Sequence, residues 1–144
     1  MLAAIIVSVA TSWYLVGLTW VVDLVVYPAF SLVGPGEWQR YHQSHRRSIT
    51  FAVGPVWLVQ AVAIAAWVFS GSSLTEPWAI ATGCLAAAAV GVTIVKAVPA
   101  HDALAERFDP PMFRRLLFWH RVRSLTWTVC AIVAAIGLAE AASG

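Results

Sequence analysis

Long runs of apolar residues dominate this chain, and four of them have the length of a membrane-spanning helix. They cover residues 3–28, 51–69, 78–98 and 116–138. Each holds roughly the 20 residues needed to cross about 30 Å of hydrocarbon. The alternating pattern of barrel strands is absent, so helices must satisfy the backbone hydrogen bonds in lipid. The pattern predicts an all-α membrane protein, a single four-helix transmembrane bundle over residues 1–144.

Composition agrees with this fold class. The chain is 60% hydrophobic and 11% charged, whereas soluble domains carry about 25% charged residues. The net charge of +2 is too small to indicate nucleic acid binding. No basic segment precedes the first apolar run, so we expect a retained helix rather than a cleaved signal peptide. The lipid bilayer is therefore the expected partner.

The positive charges fall on one side of the predicted membrane. All nine lie in or beside the loop between the first two helices and the loop between the last two. The 70–76 loop carries only Glu76, and the C-terminal tail only Glu140. The positive-inside rule predicts cytoplasmic basic loops and both termini outside. The preference for arginine over lysine, with abundant alanine, is typical of GC-rich bacterial genomes, so a bacterial cell membrane is the expected location.

The two halves of the chain share a pattern. The first predicted helix ends in YPAF and the third in VPAH, while RSITF precedes the second and RSLTW the fourth. This favours a duplicated helical hairpin, although short apolar matches also arise by chance. Small residues recur at four-residue spacing in the third and fourth helices. They predict close helix packing, either inside the bundle or in a homo-oligomer.

An ionisable residue, Asp23, lies inside the first predicted helix. A carboxylate there costs roughly 2.5 to 3.5 kcal/mol unless it finds a partner. Arg47 and Arg123 are the best candidate partners. Tyr27, four residues on, is expected on the same helix face. Such a pair either determines the order of the helices or takes part in function.

Histidines and arginines gather at the cytoplasmic ends of the predicted helices. Folding the bundle would bring these ends together around a pocket with an apolar floor and a cationic, histidine-rich collar. The expected catalytic residues are Asp23, His101, His120 and Arg123, and the expected substrate-binding residues are Tyr27, Arg47, Trp119 and Trp127.

Three chemistries suit such a collar. Neutral histidine can act as a base while arginine stabilises an oxyanion, with no cofactor. Alternatively, His42, His45, His101 and His120 hold copper or haem iron, although the spacing His-x-x-His lacks the companions of a specific metal motif. In the third interpretation, the arginines only bind anionic lipid headgroups. The spacing does not choose between them.

Two runs in the second half of the chain resemble a known family. These are Pro99-Ala100-His101-Asp102-Ala103-Leu104 and Trp119-His120-Arg121-Val122-Arg123. They resemble small four-helix membrane proteins that include anthrone-oxygenase-like proteins of polyketide pathways. That family has Pro-x-Asn-x-x-Leu at the end of the third helix, whereas this chain has His101 in place of Asn. The resemblance implies oxygenation of a polycyclic phenol, with His101 or His120 as base and Arg123 stabilising the enolate.

The sequence therefore favours a small membrane oxidoreductase or oxygenase. Its substrate would be a hydrophobic small molecule, aromatic or quinone-like, bound at the cytoplasmic end of the bundle. The alternative is a non-enzymatic membrane subunit or a small-solute transporter. A transporter should carry polar residues towards the outer face, where these helices are nearly all apolar. A subunit predicts no enclosed pocket, whereas an enzyme predicts a cavity bounded by the four catalytic candidates.

Overall fold

Four long helices form the protein in a computed structural model that describes residues 1–70 and 75–143. They are α1 (Leu2–Phe30), α2 (Trp38–Ser70), α3 (Glu76–Ala103) and α4 (Pro110–Ser143). Each is long and apolar enough to cross a membrane, and the described part of the chain contains no strand. The predicted all-α four-helix bundle is confirmed. The loop predicted at 70–76 falls in part on residues 71–74, which lie outside the described ranges.

Two helices begin well before the apolar runs that predicted them. α2 begins at Trp38 rather than at residue 51, and α4 at Pro110 rather than at residue 116. The indole of Trp38 is buried and its Nε1 donates to the carbonyl of Leu104 at 2.7 Å. Asp109 caps α4, because its Oδ1 accepts from the backbone N–H of Met112 at 2.9 Å. Packing and capping extend these helices through polar turns that hydropathy alone does not detect.

The segments that join the helices at 31–37 and 104–109 lie at the same end of the bundle, here called the basic end. Near this end, α1 and α3 each contain a five-residue π-helical segment, Val22–Val26 and Thr93–Ala97. A proline follows each segment, Pro28 or Pro99, and has no N–H to donate to the preceding turn. Because both segments precede an X-Pro-Ala sequence, their matching positions support the duplicated hairpin.

The core consists of buried clusters along the bundle. At the basic end the cluster is aromatic, and its largest members are Tyr27, Phe30 and Trp38. Trp127 anchors the middle cluster and Trp67 the cluster at the opposite end. The outward faces are apolar and exposed, as expected of helices that meet lipid chains.

Candidate functional site

A cavity of about 270 Å³ lies between α2 and α3 near the basic end. At about 30 Å³ per water in the liquid, it has room for a molecule of one or two aromatic rings. Its apolar wall is formed by Ile49, Val53, Ile94, Ala97 and Val98. Its polar wall is formed by Tyr27, His45, Arg46, His101 and Arg123.

The backbone on both sides leaves room for this cavity. On α2, a Cβ atom built at Gly54 would meet no atom within 4 Å. The next residue, Pro55, cannot donate a hydrogen bond to the preceding turn. On α3, the cavity lies against the π-helical segment Thr93–Ala97, where the turn is wider. Ile94 and Val98 are 60% and 42% exposed, so the cavity opens towards the apolar outer surface.

Three residues of the cavity wall each contain a buried nitrogen that has no hydrogen-bond partner. These atoms are His45 Nε2, Trp57 Nε1 and Arg123 Nε. Within the described ranges only five buried side-chain polar atoms are unpartnered, so most of them lie at this one cavity. Each would cost about 1 to 3 kcal/mol if left without water or ligand. Such atoms are few in the described residues, and their concentration beside one cavity distinguishes this part of the bundle.

The guanidinium of Arg123 is held by neutral groups. It donates to His120 Nδ1 at 2.7 Å and to the hydroxyl of Thr93 at 3.3 Å. His120 in turn donates from Nε2 to the carbonyl of Thr19 at 2.8 Å, which leaves Nδ1 free to accept. None of the described carboxylates forms a salt bridge with Arg123. Its positive charge is therefore available to an oxyanion or a carbonyl oxygen in the cavity.

Tyr27 begins a second chain of contacts. Its hydroxyl lies 3.2 Å from His101 Nε2, and His101 Nδ1 lies 3.1 Å from His42 Nε2. The ring of His42 stacks on Trp38, with centroids 5.2 Å apart and planes 18° apart. Edge-on contact with the His120 ring, at a centroid distance of 4.7 Å, orients Tyr27 from its other side.

The expected partners of Asp23 are wrong. Its carboxylate accepts from Arg121 Nε, at 3.3 Å to each oxygen, and not from Arg47 or Arg123. Positions 121 and 123 are about 200° apart around an α-helix, so only one can face α1. Asp23 is buried but does not line the cavity, and Tyr27 contacts the histidines instead. The π-helical segment between them removes the simple four-residue alignment.

Other expected site residues also lie away from the cavity. Arg47 is exposed on the surface at the basic end. Trp119 packs beneath the ammonium of Lys96, 5.1 Å from the ring centroid, and Trp127 is buried in the middle cluster. His120 does not line the cavity but positions Arg123. Asp23, His120, Arg47, Trp119 and Trp127 therefore do not line the cavity. The expectation that all four catalytic candidates line it is wrong, because only His101 and Arg123 do so.

Arg46 lines the cavity, although it had no role in the expected site. Arg46 forms a 2.7 Å salt bridge with Asp102. The helical spacing of 42, 45, 46, 49, 53 and 57 places these positions on one face of α2. That signal is visible in the sequence only once α2 is known to begin at Trp38.

The histidines do not fit the expected copper or haem site. Among the described residues no group of three or more His, Cys, Asp or Glu side chains is arranged to hold a metal ion. Both ring nitrogens of His101 and of His120 already lie within hydrogen-bond distance of protein atoms.

Comparison with known proteins identifies no relative. No family model matches the chain, no curated protein matches it, and no solved structure matches it.

Proposed function

We propose that this protein is a small membrane oxidoreductase or oxygenase that acts on a hydrophobic aromatic or quinone-like molecule. The substrate occupies the cavity between α2 and α3. One observation carries the proposal: an apolar cavity lined by His45, Trp57 and Arg123, each of which has a buried nitrogen without a partner. A flat apolar molecule with a carbonyl, phenol or enol oxygen would pack against the apolar wall and form hydrogen bonds with the polar wall.

Arg123 is the central group for chemistry. A phenol or enol bound with its oxygen near the guanidinium would lose its proton more readily, because the positive charge stabilises the oxyanion in a site of low polarity. The ionised molecule is electron-rich and reacts with molecular oxygen more readily than the neutral form. His120 acts through Arg123 rather than as the base, since both its nitrogens are already engaged.

The substrate reaches the cavity from the bilayer. The exposed side chains of Ile94 and Val98 form part of the cavity wall on the lipid-facing surface of α3. A molecule dissolved among lipid chains could pass between α2 and α3 without crossing a polar surface. A purely structural subunit has no need of such a cavity, which favours the enzyme over that alternative.

Ligand binding tests the site directly. The purified protein in lipid nanodiscs would be titrated with 1-naphthol and with 1,4-naphthoquinone, and tryptophan quenching recorded. Trp57→Phe assigns the signal from the cavity. Gly54→Leu places a side chain in the open space beside the wall and should weaken binding at least about tenfold, or about 1.4 kcal/mol.

The matched control is Gly17→Leu, because Gly17 also has no atom within 4 Å of an added Cβ but lies outside the cavity. Binding by this variant should equal that of the wild type. Absence of binding by the wild type, or equal affinity in Gly54→Leu, would reject the site. Oxygen consumption with 1-naphthol, lost in Arg123→Met while helicity is retained, would separate an oxygenase from a binding protein.

A further inference from the structure

We infer that Tyr27, His101 and His42 form a proton relay between the cavity and the surface at the basic end. The inference rests on the proposed function, because a phenol or enol that ionises in the cavity must give its proton to another group. It assigns a direct role to Tyr27 and His101, and a role at the surface end to His42.

The relay is continuous in space. Tyr27 and His101 both line the cavity, and their polar atoms are 3.2 Å apart. The second link, from His101 Nδ1 to His42 Nε2, is 3.1 Å. His42 lines a separate depression at the basic end, with a volume of about 640 Å³, together with Gln39, Gln43, Arg46 and Arg47. One line of hydrogen bonds thus joins a buried apolar site to a polar surface.

Each of the two hydrogen bonds, between Tyr27 and His101 and between His101 and His42, can have its donor on either side. In one arrangement Tyr27 donates to His101 Nε2, and the Nδ1–H of His101 donates to His42 Nε2. In the other, His42 donates to His101, His101 donates to Tyr27, and the tyrosine proton points into the cavity. Both arrangements contain the same hydrogen bonds. Shifting every proton by one position converts the second into the first.

The proton balance is simple. The bound phenol gives its proton to the Tyr27 oxygen as Tyr27 gives its own to His101 Nε2. His101 passes the proton on Nδ1 to His42 Nε2, and His42 releases one to water in the depression. The net products are a phenolate beside Arg123 and one proton outside the cavity. The reverse sequence protonates a bound oxyanion, and no electron is transferred in either direction.

The neighbouring charges suit outward release. Arg123 attracts the phenolate, whereas no described carboxylate lines the cavity to trap the proton. The relay is flanked by the half-buried His45 and by the Arg46–Asp102 salt bridge. Stacking on Trp38 fixes the orientation of the His42 ring.

Relaxation kinetics test the relay. We would use 2-naphthol, whose absorbance changes on ionisation, bound to the protein in nanodiscs near the midpoint of its ionisation. The relaxation of bound naphtholate would be followed after a temperature jump. Tyr27→Phe and His42→Phe should slow relaxation at least about tenfold. His42→Phe should change the dissociation constant less than about threefold, because His42 does not line the cavity.

Two further variants separate proton transfer from structure. His42→Ala should also relax slowly, and added imidazole, which can occupy the depression, should restore the rate. A purely structural role for His42 predicts no such rescue. Ser44→Ala, on an exposed position of α2, should relax like the wild type.

The outcomes distinguish the two proposals. Tight 2-naphthol binding with unchanged relaxation in Tyr27→Phe and His42→Phe would overturn the relay and leave the binding site intact. Slow relaxation in His42→Ala that imidazole does not restore would also overturn it. Failure of the wild type to bind 2-naphthol would reject the proposed function, and the relay with it.

Discussion

Two arginines, two residues apart on α4, have different surroundings. Arg121 is largely exposed and neutralises the buried carboxylate of Asp23. Arg123 points into the bundle, where His120 and Thr93 hold it without neutralising its charge. The first arrangement is typical of an architectural ion pair. The second is typical of a group that binds an oxygen of a small molecule.

The Asp23–Arg121 pair should therefore matter for stability rather than for ligand binding. Arg121→Met leaves a buried carboxylate without a partner and should lower the unfolding temperature in detergent. Adding Asp23→Asn should recover much of that loss, with a coupling of roughly 1 to 3 kcal/mol in a double-mutant cycle.

Arg115→Met, at an exposed position on α4 without a salt bridge among the described residues, serves as the control and should change stability little. Additive losses for the Asp23 and Arg121 changes would show that the pair is not coupled. A large fall in naphthol affinity in the double variant, in turn, would contradict its separation from the cavity.

At the scale of the helices, the two π-helical segments divide α1 and α3 into a long apolar part and a short terminal part. The side chains of the terminal part face different neighbours from those that a regular helix would give them. In α1 the change separates Asp23, which faces Arg121, from Tyr27, which faces the histidines. In α3 it places Thr93 beside Arg123 and His101 beside Tyr27. The site is thus assembled by two irregular turns at corresponding positions of the two hairpins.

At the opposite end, close packing replaces such irregularity. An added Cβ at Gly137 would lie 2.6 Å from the ring of Trp67 and 2.8 Å from Trp78 Cβ. Trp67 is fully buried and has little room to move. Gly137→Leu should therefore lower the free energy of unfolding by about 1 to 3 kcal/mol or more.

Chemical unfolding followed by circular dichroism would measure this change, with Gly17→Leu as the control in open space. Naphthol affinity in the folded Gly137→Leu protein should stay near the wild-type value, because the cavity lies at the basic end. Unchanged stability would mean that the Trp67 side chain packs less tightly against Gly137 than this distance indicates.

For the molecule as a whole, the two ends of the bundle differ in chemistry. The basic end carries the arginines, the histidines and the cavity, whereas further along the bundle Gln60 donates to the hydroxyl of Ser12 at 2.8 Å in a buried uncharged pair. Because four helices return the chain to its starting side, both termini lie at one end of the bundle. Both basic connections lie at the other end. The charge bias predicts that the basic end is cytoplasmic.

Reporter fusions test that orientation. Alkaline phosphatase, which is active only outside the cytoplasm, should be active when fused after residue 144 and inactive when inserted at 31–37. Green fluorescent protein should show the opposite pattern, since it fluoresces in the cytoplasm. The reversed pair of results would place the basic end outside and would move the proton release of the relay to the other side.

The amino-acid sequence by itself determined that the chain has four helices long and apolar enough to cross a membrane, with positive charge gathered at one end. Both follow from counting residues along the sequence. About 20 apolar residues span the bilayer wherever they pack, and loop charge can be counted without a structure. The repeated X-Pro-Ala pattern was visible too, as was the position of His101 and Arg123 near one end.

Only the tertiary structure decided which of these groups meet. The pairing of Asp23 with Arg121, the inclusion of Arg46 and Trp57 in the cavity, and the supporting role of His120 depend on the rotational phase of each helix. That phase is set by the early start of α2 and by the π-helical segments, which hydropathy does not detect. Successive residues of a helix are rotated by about 100°, so an error of one position in the phase of a helix gives a side chain a different neighbour. The site therefore exists only in the folded bundle.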